Sequence, residues 1–225
     1  MTKAATLERV PEPELMSDVE QARAYAAADF SEPHDRFVRL LRERLPRLPD
    51  VGIAADLGCG PCDIALRFLR AHPRWRVDGV DGSPAMLAEA RRALEREGIG
   101  ARIRLLELRL PALPPDARYE LLFSNSLLHH LQNPSVLWTT LRLWGSPGAA
   151  VFVMDLQRPA SREDAASLVH RYAAGEPDVL RRDFLHSLLA AYRPDEVRAQ
   201  LERAGLVDLR TETVSDRHFA VWGAL

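Results

Sequence analysis

One stretch limits this chain more than any other: Ala54-Ala-Asp-Leu-Gly-Cys-Gly-Pro-Cys-Asp63, followed by Asp81 at the end of Val77-Asp-Gly-Val-Asp81. Val51–Leu57 is a short apolar run that ends in glycines and feeds a helix. Such a run reads as a buried parallel strand. Glycine at its end permits positive φ and lets a ligand lie against the backbone with no Cβ in the way. The helix N-terminus behind it offers free N–H groups to a polar or anionic ligand. Asp81 stands twenty-five residues after Asp56 and closes the next strand, a position from which a carboxylate accepts both hydroxyls of a ribose.

The remaining chain alternates helix and strand. Ser17–Asp29 and Asp35–Leu45 carry apolar residues at helical spacing. Ile64–Ala71 reads as a helix, Arg76–Val80 as a strand, and Pro84–Glu97 as a helix with proline in its first turn. Arg102–Leu108 and Tyr119–Ser124 read as strands, Pro134–Leu143 as a helix and Ala149–Asp155 as a further strand. Repeated β-α units predict an α/β fold with a doubly wound, mostly parallel sheet. Val207–Thr213 and His218–Trp222 flank the polar turn Val214–Arg217. They predict an antiparallel hairpin at one edge and bring the sheet to seven strands. The expectation is a single domain over residues 1–225, with residues 1–48 as a helical cap. Residues 156–204 hold a helical insertion and the last crossover helix, opened by a capping pair, Ser161 and Asp164. Both helical sections are expected to close over the carboxyl ends of the strands, where such sheets bind ligands.

Composition narrows the function classes. The 225 residues are 47% hydrophobic and 28% charged, which excludes a disordered or fibrous chain. Thirty basic against 32 acidic residues leave a net charge of −2, so a strong positive field for nucleic acid is not expected. No apolar run approaches the roughly 18 residues that span a bilayer. The start, MTKAATLERVPEPEL, has no secretory apolar core. A cytoplasmic protein without a membrane partner is the expectation.

Two glycine-loop motifs fail here. A dinucleotide fingerprint wants a third glycine at position 63, which is Asp63, and the Gly-Lys-Ser/Thr of a P-loop is absent. The motifs ADLGCGPCD, GVDGSPAMLAEARR and ELLFSNSLLHHLQNP, in that order and spacing, instead resemble a class I S-adenosylmethionine-dependent methyltransferase of the small-molecule type. The resemblance covers residues 50–155 by motif and the terminal hairpin by topology. It implies a Rossmann-like fold and S-adenosyl-L-methionine as cofactor. Asp56, Gly58, Cys59 and Gly60 would wrap the methionine part, and Asp81 would hold the ribose. Gly82 and Met86 would flank the adenine, with Leu108 and Arg109 beside it, and the backbone around Asn125 would face the sulfonium. The chain departs from the pattern in three places. Cys62 stands where a third glycine is common, Arg109 where an aspartate often meets the adenine amino group, and Glu120 where the fourth strand usually begins with aspartate.

Other readings attach to single features. Cys59-Gly-Pro-Cys62 is letter for letter a thioredoxin-type motif at a helix start, a position that lowers a thiol pKa. It lies inside the glycine loop, without its usual fold context, so a thiol–disulfide redox protein is the remote alternative. A non-catalytic S-adenosylmethionine-binding regulator and an enzyme using a modified cofactor are the nearer ones. His129 and His130 follow the fourth strand. Adjacent helical residues point about 100° apart, so one at most is expected to face a pocket. Without further Cys or His at ligand spacing the pair makes a poor metal site, and no metal is expected.

In this reading the sulfonium already activates the methyl group, and the protein aligns a nucleophile and excludes water. A base is needed only for a protonated nucleophile. His130 is the first candidate, with Asp183 and His186 behind it. Tyr25 and Phe30 from the N-terminal helices, and Asp155 and Arg158 after the fifth strand, are expected at the pocket mouth as lid or acceptor contacts. The acceptor is expected to be a small molecule, because Ser124-Asn-Ser-Leu127 lacks the Pro-Pro-Tyr of amino-methylating DNA enzymes.

Overall fold

The computed structural model describes residues 7–112 and 118–225, so residues 1–6 of the expected cap lie outside it. After helices α1 (Val19–Ala27) and α2 (Ser31–Arg44) the chain runs β1 (Gly52–Leu57), α3 (Asp63–Ala71), β2 (Trp75–Asp81), α4 (Pro84–Glu97) and β3 (Ile103–Glu107). It continues through β4 (Tyr119–Asn125), α5 (Ser135–Trp144), β5 (Gly145–Leu156) and three helices: α6 (Arg162–Ala173), α7 (Asp178–Ala190) and α8 (Pro194–Arg203). β6 (Arg210–Thr213) and β7 (His218–Ala224) close the chain.

The seven strands lie in the order β3-β2-β1-β4-β5-β7-β6. Neighbours pair in parallel from β3 to β5, and β7 runs antiparallel to both β5 and β6. The order reverses between β1 and β4, and beyond the carboxyl ends of those two strands lies the crevice where a doubly wound sheet takes its ligand.

Alternation along the strands divides the core into two layers. Leu121 and Phe123 of β4 and Phe152 and Met154 of β5 join Phe37, Phe68 and Trp75 on the side of α2, α3 and α4. Leu122, Val151 and Val153 point the other way, into Trp138, Trp144, Val197 and Leu201 of α5 and α8. A third, smaller cluster, with Leu156, Leu168, Leu188 and Leu189, seats α6 and α7 beside the strand ends.

Four segments differ from the sequence expectation. α2 starts at Ser31, not Asp35. Pro33 falls in the first turn, where backbone N–H groups have no helical partner and proline loses nothing. The insertion is three helices and not one stretch, broken at Gly175–Pro177 and before Pro194, since a residue before proline avoids helical ψ. Ser161 does open α6, its hydroxyl accepting the Asp164 N–H. β5 begins at Gly145, through Ser-Pro-Gly residues that read as a loop, because Gly145 still pairs with Tyr119 across an irregular register. β6 starts at Arg210 and not Val207, so Val207 is exposed. No helix among the described residues is long and apolar enough to cross a membrane.

Candidate active site

The turn after β1 is left-handed three times, at Gly58 (φ +73°), Gly60 (φ +50°) and Cys62 (φ +67°). Gly58 and Cys59 donate their N–H groups to the Val80 carbonyl, at 2.8 and 3.0 Å, which ties the turn to β2. A Cβ on Gly58 would stand 2.9 Å from the Leu127 side chain, whereas one on Gly60 would meet nothing within 4 Å. One glycine is therefore required for packing, and the other faces open space. The left-handed backbone accounts for position 62 being glycine-prone, and Cys62 adopts that conformation in spite of its Cβ.

A cavity of about 890 Å³ opens beyond this turn. Asp81 lies on its wall, its Oδ2 accepting from Gly60 N at 2.9 Å and its Oδ1 from Ser83 N at 2.8 Å. Burial raises the Asp81 pKa, with the N–H groups of Ser83, Gly60 and Gly82 working against it. Asp56 lines the same cavity from deeper in. Burial, and then the Asp81 charge, push its carboxyl well above the usual range. Asp56 Oδ2 and Asn125 Oδ1 are buried and have no hydrogen-bond partner. Gly58, Cys59, Gly60, Gly82, Met86, Leu108, Arg109 and Asn125 all line the cavity, so every residue assigned to the cofactor from the sequence comes together there. The Arg109 guanidinium is held by Glu14 at 2.6 Å. Ser126, the other left-handed non-glycine residue among those described, follows Asn125 with φ +55°. A kink of that kind tends to be kept at functional sites.

The acceptor side is more mixed. Tyr25, Phe30 and Asp183 line the cavity, together with Leu180 and Phe184 of α7. Burial, reinforced by the carboxylates of Asp63, Asp155 and Asp81, pushes the Tyr25 hydroxyl up to about 12, so it remains a proton donor. Asp183 is engaged by the Gln21 amide at 2.6 Å. His186 is exposed and does not line the cavity. Asp155 and Arg158, expected at the mouth, are buried away from it. Arg158 donates to the Leu7 and Ala191 carbonyls and pairs with Glu196. Asp155 accepts from Leu128 N at 2.7 Å and holds His129 Nδ1 at 2.5 Å.

Both histidines line the cavity, against the expectation of one, because Leu128–His130 is a short 3-10 turn that stacks the two rings with centroids 4.2 Å apart. Their pKa values part in opposite directions. Burial disfavours charge on His129, but the Asp155 carboxylate, its hydrogen bond and Glu12 together outweigh that and raise the pKa. Burial, and then the neighbouring His129, push His130 down to about 3. His130 is thus a neutral imidazole and a weak base at neutral pH, unlike the base assigned from the sequence. His218 on the same cavity is also pushed to about 3, by burial and then Arg217.

Holding these two rings neutral has a pH consequence. The unfolded chain takes up their protons near pH 6.5 and the folded chain only near 3, so this stability is complete above about 6.5 and is lost as pH falls. Thermal unfolding between about pH 6.5 and 4 should show that loss, and His218→Gln should flatten it. A variant with the wild-type acid slope would remove His218 from the account.

Sequence reasoning missed the segment that roofs the site. Glu14 also accepts from Gln132 N, Ser83 Oγ donates to the Met16 carbonyl, and Leu15 packs on Gly82. Glu12 sits between the histidines and Ser187. The only signal was Pro11-Glu-Pro-Glu14, in which proline keeps the chain extended. Cys59 and Cys62 are buried free thiols, and the hydrogen bond of the Cys59 thiol to Cys62, then burial, raise Cys59 well above the ordinary thiol range. That is the opposite of an activated redox cysteine.

Comparison with known proteins agrees with this geometry. Residues 54–148 match the family described as "Methyltransferase domain". Trans-aconitate 2-methyltransferase of Methylobacterium nodulans is 33% identical over 158 residues, 69% of this chain and 58% of that protein. The Azoarcus sp. enzyme of the same name is 30% identical over 146 residues, 65% of this chain and 54% of that protein. The chain thus spans little more than half the length of these curated relatives. Among solved structures, a SAM dependent methyltransferase from Aquifex aeolicus has the same fold, with a TM-score of 0.66 at 17% identity over 92% of this chain and 98% of that one. The plantazolicin methyltransferase BpumL, in complex with SAH, has a TM-score of 0.64 at 12% identity over 90% of this chain and 83% of that one. Residues 54–148 thus carry a methyltransferase domain, and in its motifs, its relatives and its sheet order the chain is similar to the class I S-adenosylmethionine-dependent methyltransferases.

Proposed function

We propose that this chain transfers a methyl group from S-adenosylmethionine to a small molecule whose nucleophilic atom arrives already ionised. The reading is carried by Asp56 and Asn125, two residues of the cavity wall that each keep a buried oxygen, Oδ2 and Oδ1, with no hydrogen-bond partner within the protein. Buried acceptors are nearly always satisfied, so two at one site call for a ligand rich in N–H or O–H groups. The amino-acid tail and ribose of the cofactor are such a ligand. Asp56, Gly58, Cys59 and Gly60 would hold the tail, Asp81 the ribose hydroxyls, and Gly82, Met86 and Leu108 the adenine. Asn125 would lie toward the sulfonium, and Arg109 would rim the adenine end.

When bound, the cofactor supplies an electrophilic methyl group. The protein's share is alignment and exclusion of water. Phe30, Leu180 and Phe184 wall the acceptor side with apolar surface, and the Tyr25 hydroxyl remains a donor to an acceptor oxygen. A neutral His130 can accept or donate a hydrogen bond but takes a proton poorly. An acceptor that is anionic beforehand needs no base. Trans-aconitate, for which the relatives are named, is a carboxylate and therefore the first acceptor to try.

The test is incubation of the full chain with methyl-labelled S-adenosylmethionine and a set of carboxylates that includes trans-aconitate. A labelled methyl ester is the expected product. Cofactor binding with no labelled product, from these acids or from a cell extract, would overturn methyl transfer in favour of a non-catalytic binding role.

Gly60 offers a separate check. Alanine there should cost about 1–2 kcal/mol for its left-handed backbone. It should weaken S-adenosylhomocysteine binding by more than that stability loss implies, since the position opens toward the ligand. Calorimetry giving wild-type affinity would remove Gly60 from the cofactor site.

A further inference from the structure

Behind the acceptor side of the cavity, three ligand-type atoms converge from segments far apart in sequence. Glu12 Oε1 lies 3.4 Å from His129 Nε2 and 3.2 Å from His130 Nδ1, and the three atoms lie within 4.8 Å of one another. Two donors held about 2.0–2.2 Å from one tetrahedral metal ion stand roughly 3.3–3.6 Å apart, so the two spacings from Glu12 match such a site and the two imidazole nitrogens lie within 4.8 Å of each other. Asp155 binds the Nδ1 side of His129 at 2.5 Å and leaves Nε2 facing Glu12. A carboxylate behind a histidine in this way fixes the tautomer and ring orientation of a metal ligand. Asp155 is itself fixed by the N–H groups of Leu128 and Leu156, both at 2.7 Å.

The local charge also favours a cation. Glu12 and Asp155 bring two carboxylates. The facing positive group is Arg9, whose guanidinium donates to the His129 and Leu131 carbonyls, and His186 lies within electrostatic reach of Glu12. Ser187 adds a hydroxyl to Glu12 at 3.1 Å. Two imidazoles and one carboxylate suit divalent first-row transition metals, and do not suit Mg²⁺ or Ca²⁺, which prefer oxygen.

We propose that Glu12, His129 and His130 bind a divalent first-row transition metal ion, with Asp155 as its outer carboxylate. Because both histidines line the cavity, the remaining coordination positions open into it and take a carboxylate or hydroxyl oxygen of the acceptor. This second part rests on the methyl-transfer reading; the binding of the metal does not. The competing account is a hydrogen-bonded clasp in which Glu12 merely fastens the N-terminal segment to the two rings.

The experiment uses the full, untagged chain freed of metal with a chelator and then titrated with Co²⁺, followed by its visible absorption and by displacement with Zn²⁺. One Co²⁺ per chain is expected. Asp155→Asn should weaken binding by about 10–100-fold, the loss typical of an outer partner, and Glu12→Gln should weaken it at least as much. S-adenosylhomocysteine calorimetry on each variant reports whether the fold is intact. A chain that binds S-adenosylhomocysteine but takes up no Co²⁺ at about 0.1 mM would leave only the clasp and overturn the site. Equal Co²⁺ affinity in wild type and Glu12→Gln would place the ion elsewhere and overturn it too. Stoichiometric Co²⁺ lost in Glu12→Gln, in a chain that ignores S-adenosylhomocysteine, would support the metal site while sinking the methyl-transfer reading.

Discussion

Asp155→Ala should destabilise the folded chain by about 3–5 kcal/mol, the usual effect of removing one partner from a buried ion pair. The carboxylate is 1% exposed. It holds His129 on one oxygen and the Leu128 N–H on the other, so its loss strands a buried imidazole and a buried donor together. Urea unfolding would show a lower midpoint with little change in slope. The deficit should also depend on pH, with a sign that can be worked out. The folded pKa of His129 is raised above its unfolded value of about 6.5. The stability contributed by the pair is therefore complete below about 6.5 and declines as pH rises through the folded pKa. Wild type and Asp155→Ala should thus differ most in mildly acidic solution and less in alkali. A loss under about 1 kcal/mol, or a gap that widens with pH, would mean that the pair is not charged in the native state.

Asp81→Ala should lower affinity for S-adenosylhomocysteine by about tenfold or more, about 1.4 kcal/mol at the least. Two effects add. The charged acceptor assigned to the ribose hydroxyls disappears, and the Gly60 and Ser83 N–H groups lose the carboxylate that shapes the turn. Asp81→Asn separates them, because its amide keeps an oxygen toward one N–H while the charge is lost. Calorimetry should rank wild type tightest, Asn intermediate and Ala weakest. Unchanged affinity in Asp81→Ala would remove the ribose contact on which the cofactor reading depends.

Much of the cofactor half was legible because its determinants are local. Glycine between a buried strand and a helix announces a left-handed turn, and an acid at the end of the next strand falls beside that turn through parallel pairing. Asp56, Gly58, Gly60, Asp81 and Asn125 accordingly meet on one cavity wall. The acceptor half was legible only in part. Tyr25, Phe30 and Asp183 reach the cavity, whereas Asp155 and Arg158 follow a strand that the insertion covers, so both are buried in its packing. His130 carried a residue type that suits a base, but its protonation depends on burial and on His129, which no spacing in the chain encodes.

The amino-acid sequence alone determined the order of helices and strands, the seven-stranded doubly wound sheet and the glycine loop with its acidic partner. These follow from periodicity, turn chemistry and the handedness of β-α units, all of which act over a few dozen residues. Tertiary structure alone decided that Glu12, 117 residues before His129, would stand between two imidazoles, and that their pKa values would diverge. Those outcomes come from close approach and dehydration of polar groups from distant segments, and such energies leave no periodic trace in the chain.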